Sequence, residues 1–287
     1  MRVNNQDRLH AWMGNNAIIG NLSIDNLVLP GSHDSGSNKE HYIQMQLPHE
    51  VTQDVSLIKQ IRGGIRVLDL RVQCCEQFRV GDPRRFQLTH FTTTGVSLEA
   101  DLLGPLLDFY SAADTQKEII VLDFHELHGF TPAIHQEFQA MLMGRLGHRC
   151  LPADVLGKNL VHLWLNHPGK NLVLAYDGPA WHPPFCERVK QCWSGSNTNT
   201  AATLKTFMDD VAEEYKPGGQ LRAIQCAKYA LPLFVPDDFS DKIDQWFHSE
   251  DEHSYIQKFY IINTDWSLRS HIVANCIHAS VVRAMNA

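Results

Sequence analysis

Gly64–Val72 reads GIRVLDLRV, and the alternation within it carries the fold. A strand points successive side chains to opposite faces, so Val67, Asp69 and Arg71 share one face and Leu68 and Leu70 the other. The apolar face needs a helical layer to cover it. The other turns two ionisable groups toward an interior that must have a use for them. Outward from this stretch, short apolar runs recur, each ending in a polar turn with Gly or His and followed by an amphipathic segment. Strands are expected at Asn26–Leu29, Ile65–Val72, Gln87–Phe91, Ile119–Phe124, Leu172–Tyr176, Leu221–Gln225 and Tyr260–Asn263. Helices are expected at Asp54–Arg62, Ser97–Tyr110, Ala133–Leu146, Ala202–Tyr215, Phe239–His248 and Leu268–Met285. Ser97, with Glu99 nearby, suits a helix start, and the Gly63–Gly64 pair suits the end of the Asp54 helix.

Strands alternating with helices, without a low-complexity linker, predict one α/β domain over residues 1–287: a closed or nearly closed (β/α) barrel of TIM type. In such a barrel, reactive groups gather at the carboxyl ends of the strands. A doubly wound open sheet is the alternative, but neither GxGxxG nor GxxxxGK[ST] occurs to bind a phosphate. The stretch GPAWHPPFCERVKQCW, Gly178–Trp193, is rich in Pro and aromatic residues and is expected to form a long loop on the active face.

The bulk numbers narrow the function. With 44% hydrophobic and 20% charged residues among 287, the chain has ordinary globular composition. Its 25 Lys and Arg against 32 Asp and Glu leave a formal charge of -7, so nucleic acid is not an expected partner. No run approaches the roughly 18 apolar residues that span a bilayer, and the N-terminal stretch lacks a secretory pattern. A soluble protein is expected, cytoplasmic or exported without a classical signal peptide. The seven cysteines show no CxxC spacing, and Cys74 and Cys75 are adjacent, so free thiols are expected.

The chemistry-bearing residues stand at strand ends. Leu29–Ser37 reads LPGSHDSGS, a strand running into a Pro-Gly turn that presents His33 and Asp34 above the barrel mouth. One histidine among 16 says little, but this position says more. Asp69 and Arg71 form either a buried pair satisfying itself or a fork aimed at a phosphate oxygen. In QLTHFTTT, Gln87–Thr94, His90 ends another strand. The HELH run His125–His128 lacks the helical HExxH spacing of a zinc site.

LPGSHDSGS, GIRVLDLRV, the later His90 and EIIVLDFHEL at Glu118–Leu127 resemble, in order and spacing, the blocks of the phosphatidylinositol-specific phospholipase C X-domain family. The nearer likeness is to its bacterial, metal-independent branch and to X-domain-containing proteins. Weaker blocks follow at Cys192–Asp210 and at YIINTDW, Tyr260–Trp266. The resemblance implies an irregular TIM-type barrel and cleavage of a phosphoinositide-type phospholipid to diacylglycerol and a cyclic inositol phosphate. It implies that His33 is the general base, His90 the general acid, Asp265 the orienter of His33, Asp34 that of His90, and Arg71 the phosphate-binding group. Asp69 is expected to hold Arg71. Asp69, Asp123, Tyr176 and Trp181 are candidate substrate-binding residues, and Trp181 and Phe185 either touch a membrane surface transiently or pack over the mouth.

Arg71 falls where a calcium-dependent relative would carry an acidic ligand, so no metal and no cofactor is expected. Asp123 and Glu126 are the groups that would serve if a divalent ion were used. Ala175 stands where a basic residue would grip the headgroup, which leaves the headgroup open. The other readings are a metal-dependent glycerophosphodiesterase or sphingomyelinase-like enzyme on the same barrel, and a non-catalytic phosphoinositide-binding X domain.

Overall fold

The computed structural model describes residues 9–41, 47–90, 92–179, 184–196, 198–231, 234–249 and 253–287. Strands are β1 Leu29–Ser32, β2 Val67–Cys74, β3 Phe86–His90, β4 Thr92–Ser97, β5 Ile120–His128, β6 Leu172–Tyr176, β7 Cys186–Glu187, β8 Lys190–Cys192, β9 Arg222–Cys226, β10 Tyr229–Ala230, β11 Val235–Pro236 and β12 Ile261–Thr264. The α-helices are α1 Trp12–Asn15, α2 Leu57–Arg62, α3 Gly104–Phe109, α4 Pro132–Leu146, α5 Leu160–Asn166, α6 Ala201–Glu213, α7 Ser240–Trp246 and α8 Ile272–Met285.

The main sheet runs in the order β7-β6-β5-β2-β1-β12-β9-β8, and every pairing along it is parallel. Its edge strands, β7 and β8, are separated in sequence by Arg188 and Val189 alone, so the chain itself bridges the two edges of the curled sheet. The expected TIM-type α/β architecture is thus present. Alternation sorts the two cores: Val67, Val121, Val173, Ala175, Ala223 and Ile261 fill the inside, while Leu68, Leu70, Leu122, Leu174 and Tyr176 pack outward with Phe138, Leu142 and Met208 from the helices.

Three sequence expectations need correction. Gln87–Phe91 was expected as a parallel stave, but β3 is antiparallel to β2, and β4 pairs antiparallel with β3. Gly178–Trp193 is not a loop throughout, because Cys186–Cys192 supplies the two edge strands. Pro30 and Gly31 lie inside β1 rather than in the turn. Gly31 is required there, since a Cβ at that position would stand 1.9 Å from Asn263 Oδ1 on the neighbouring β12. The other elements fall close to expectation. Thr131 caps α4 by accepting a hydrogen bond from Ile134 N, with Pro132 in its first turn. The Ser97–Tyr110 helix begins as a π-helical turn, Leu98–Leu103, before continuing as α3.

The amino end of the barrel is tied by a fully buried ion pair between Arg66, before β2, and Glu118, before β5. Arg66 Nε donates to Glu118 Oε2 at 3.0 Å, and its terminal nitrogens donate to the carbonyls of Leu9, His10, Ile61 and Ile65. Glu118 also accepts from Met13 N and Gly14 N, which fastens the N-terminal segment beneath the sheet. Breaking a pair of this kind on one side leaves an uncompensated buried charge. Glu118→Leu is therefore expected to lower stability by about 3–5 kcal/mol, whereas Arg66→Met combined with Glu118→Leu costs less than the sum of the two single changes; urea unfolding of the wild type, the two single variants and the double variant measures this.

Candidate active site

β1 ends in a tight turn whose backbone is pinned on all sides. His33 N donates to Thr264 O at 3.0 Å, Ser35 N to Asp69 O at 2.9 Å, and Gln53 Nε2 to His33 O at 2.9 Å. Asp34 adopts φ +42°, a left-handed conformation that Asp and Asn tolerate better than most residues. Its N–H donates to the carboxylate of Asp69 at 3.1 Å. The turn therefore sends His33 and Asp34 in separate, fixed directions.

His33 Nδ1 lies 2.7 Å from Asp265 Oδ1 at the end of β12, and Arg71 Nη2 lies 3.1 Å from His33 Nε2. A guanidinium only donates, so Nε2 accepts and Nδ1 carries the proton toward Asp265. The imidazole thereby presents a lone pair beside a fixed cation. Burial raises the proton affinity of Asp265 against the opposing influence of His33.

His90 is buried and reaches the same space from β3. Its Nδ1 lies 2.8 Å from Glu50 O and 2.8 Å from Asp34 Oδ2, two acceptors that place the proton on Nδ1. Burial alone would lower its pKa, but the Asp34 carboxylate outweighs burial and raises it above the ordinary value. Nε2 faces the Tyr229 hydroxyl at 3.4 Å. The two imidazoles thus differ in their surroundings, one accepting from a cation and the other held toward its protonated form.

Arg71 stands between them. Its Nε is 3.9 Å from Asp34 Oδ1 and its Nη1 is 3.6 Å from Glu126 Oε1. Burial works against its charge, and Asp34, Asp69 and Glu126 together sustain it. The register between β2 and β5 slips after Leu70, so that Arg71 pairs with Glu126 while Leu70 pairs with Phe124. His125 is the extra residue of this bulge, which brings both His125 and Glu126 toward the cavity. His125 Nδ1 lies 2.8 Å from Asp69 Oδ1. Burial opposes its charge, but Asp69 prevails and the pKa rises to about 10. The hydrogen bond with His125 draws Glu126 down to about 2.

His33, Arg71, His90, His125 and Glu126 line a cavity of about 780 Å³ together with Gln73, Thr89, His128, Gln191, Trp193, Gln225 and Tyr229. A somewhat larger groove, about 900 Å³, runs between Trp12 and α8 and contains none of these groups. His33, His90, Arg71, Asp34 and Asp265, far apart in sequence, therefore converge as expected.

Other candidates fall elsewhere. Asp69 has no exposed surface and does not line the cavity; its near partners are His125 and Asp34 N, so it supports Arg71 through charge rather than contact. Asp123 is also fully buried, accepting from Val189 N at 3.2 Å and Gln191 Nε2 at 2.5 Å, and burial raises its pKa to about 7. Tyr176 lies on the outward parity of β6, its hydroxyl 2.7 Å from His135 Nδ1, and cannot reach a ligand in the barrel mouth. Phe185 is buried with its ring centroid 5.3 Å from that of Tyr176, and Trp181 lies outside the described residues.

Sequence reading missed His125, Gln191, Gln225 and Tyr229. Parity with Asp123 was a usable signal for His125, and the strand-end position was one for Gln225. Tyr229 had none, because it follows β9 on a hairpin.

No family model matches the chain. Among curated proteins, it is 25% identical over 244 residues to mouse PI-PLC X domain-containing protein 2, covering 75% of this chain and 68% of that one. It is 24% identical over 232 residues to mouse PI-PLC X domain-containing protein 3, covering 70% and 68%. Among solved structures, the phosphatidylinositol-specific phospholipase C of Listeria monocytogenes superimposes with a TM-score of 0.67 at 18% identity, over 93% of this chain and 98% of that one. The F249X mutant of the Staphylococcus aureus enzyme gives 0.67 at 13% identity, over 96% and 99%. The chain resembles PI-PLC X domain-containing proteins in sequence and shares the fold of the bacterial phosphatidylinositol-specific phospholipases C.

The His125–Asp69 pair has a pH signature. A histidine whose folded pKa is raised contributes stability that is complete below its unfolded value near 6.5 and is lost as pH climbs toward about 10. The urea midpoint is expected to fall over that window, and the decline should flatten in His125→Gln.

Proposed function

We propose that the chain cleaves the phosphodiester of a phosphoinositide-type phospholipid, releasing diacylglycerol and a cyclic inositol phosphate. The observation that carries this reading is the pair of imidazoles, each beside a buried carboxylate, with the Arg71 guanidinium between them. The X-domain resemblance and the likeness in fold to bacterial phosphatidylinositol-specific phospholipases C support it.

In this mechanism the inositol 2-hydroxyl attacks phosphorus as His33 Nε2 takes its proton. The new ring oxygen–phosphorus bond forms while the bond to the glycerol oxygen breaks, and His90 passes its Nε2 proton to that departing oxygen. Arg71 meets the charge growing on the phosphate oxygens with a rigid planar fork. Attack from within the substrate is favoured because the nucleophile already sits beside phosphorus. Asp34, Asp69 and Asp123 are engaged with His90, His125 and Gln191 respectively, which supports phosphate stabilisation by Arg71 rather than by a carboxylate-bound cation. A phospholipid substrate also brings the protein transiently to a membrane surface.

His33→Ala and His90→Ala are each expected to lower turnover of phosphatidylinositol by about 10²–10⁴, followed by phosphorus NMR of the cyclic product. A substrate with a much better leaving group should partly rescue His90→Ala alone; equal rescue of both would reverse or remove the assigned roles. Activity should fall on the alkaline side only above the ordinary histidine range, since Asp34 raises the His90 pKa. Arg71→Lys is expected to be poor because an ammonium loses the fork. The wild type is expected to ignore EDTA and added Ca²⁺, and strong inhibition by EDTA reversed by one divalent ion would overturn the role given to Arg71.

A further inference from the structure

The amino end of the barrel carries an exposed apolar surface of its own. Ile18, in the 3₁₀ turn Ala17–Asn21, and Val161 and Leu165, on α5, are 38%, 40% and 74% exposed. They lie together because α5 packs on that turn: a Cβ on Gly20 would stand 2.6 Å from the Val161 side chain and 3.3 Å from the Trp164 ring. Val161 and Leu165 are one helical turn apart and form a ridge. Beside the first turn of α5 a groove of about 680 Å³ opens at Leu22 and Asn159 and runs to the last turn of α8 at Val282. Apolar side chains gathered beside a groove mark a contact surface. Asn26, Lys117 and Lys170 precede β1, β5 and β6, whereas His33 and Asp265 follow β1 and β12, so this face and the candidate active site stand at opposite ends of the parallel sheet.

The same face is basic. Lys117 Nζ stands 5.1 Å from the centroid of the Trp164 ring, whose Nε1 donates to Lys117 O at 3.1 Å. Arg149 Nη1 donates to Gly169 O at 3.3 Å, next to Lys170. Arg283 lines the groove and Lys158 lies between two residues that do, Gly157 and Asn159. Among the described residues, none of these cations forms an ion pair. The carboxylates nearby are mostly taken, Asp25 by Lys216, Glu118 by Arg66 and Asp114 by His10, which leaves Asp108 and Asp154 without a cation. A chain of net charge -7 thus gathers unpaired positive charge around an apolar ridge.

We propose that this face docks an acidic amphipathic helix of a partner protein, its apolar stripe against Ile18, Val161 and Leu165 and its carboxylates toward Lys117, Arg149 and Lys170. Charge complementarity selects this occupant. A second copy of the chain, related by a two-fold axis, would bring the same cations against themselves. Phosphate backbones would meet the cations but leave the ridge unused, whereas an amphipathic helix answers both. Docking here leaves the far end of the barrel open, so the partner and a ligand of the cavity bind together. The inference stands whichever reaction the cavity performs.

The test is fluorescence anisotropy of a labelled synthetic helix with leucines along one face and glutamates along its flanks, titrated with the full chain. The wild type is expected to bind it saturably, to lose affinity as NaCl rises from about 0.1 to about 0.5 M, and to ignore the same peptide with Lys in place of Glu. Val161→Ser combined with Leu165→Ser, and separately Lys117→Glu combined with Lys170→Glu, should each weaken binding about tenfold or more. The four side chains replaced are at the surface, so near-UV circular dichroism should stay unchanged in both variants. No binding by the wild type, equal binding of the Glu and Lys peptides, or undiminished binding by either variant would overturn the proposal. So would phosphatidylserine vesicles or an oligonucleotide that displace the peptide and are themselves lost in the Lys117 and Lys170 variant. Self-association in sedimentation velocity that the Val161 and Leu165 variant abolishes would give the face to a second copy and likewise overturn it.

Discussion

One edge of β2 is shared, and the mouth of the barrel depends on that sharing. Val67 and Leu68 use this edge to pair with β1, and Val72 to Cys74 use it to pair with β3. A parallel strand below and an antiparallel strand above thus meet on a single edge. Because β3 runs down toward β1, its last residue, His90, arrives over the turn at the end of β1. Had β3 continued as a parallel stave, His90 and Asp34 would not face each other.

The same meeting point concentrates charge, and each charge is matched. Asp34 stands close to both His90 and Arg71, Asp69 meets His125, and Asp265 meets His33. Buried carboxylates and cations are expensive singly and tolerable when paired with good geometry. The arrangement also separates two otherwise equal imidazoles, since one accepts from Arg71 and the other is pressed toward protonation by Asp34. An acid and a base within one cavity require such a difference.

Below the cavity, stability and site organisation are divided between two polar layers. The Arg66–Glu118 pair fastens the amino end. Nearer the mouth, Asp123 holds the edge segment through Val189 N and Gln191, and Gln191 Oε1 accepts from Gln225 at 2.6 Å. Asp123 therefore ties the late edge strand to the middle of the sheet, which accounts for a buried carboxyl that never meets the cavity.

Much of this was legible in the chain, and the reasons are local. Period-two alternation in GIRVLDLRV placed Asp69 and Arg71 inside, and apolar runs with polar ends located seven sheet segments and the strand-end positions of His33 and His90. What alternation cannot show is the partner of a strand edge, because pairing depends on chain returning from far away. The antiparallel course of β3, the bulge that turns Glu126 inward beside His125, and the use of Cys186–Cys192 to bridge the sheet were decided there. Tyr176 shows the limit from the other side: its place at a strand end made it a candidate substrate-binding residue, but its parity on β6 sends it into the helical layer. Sequence alone determined the barrel class and the strand-end residues of the candidate site. Only tertiary pairing decided which of them face one another, because hydrogen-bond register across strands, not order along the chain, sets those distances.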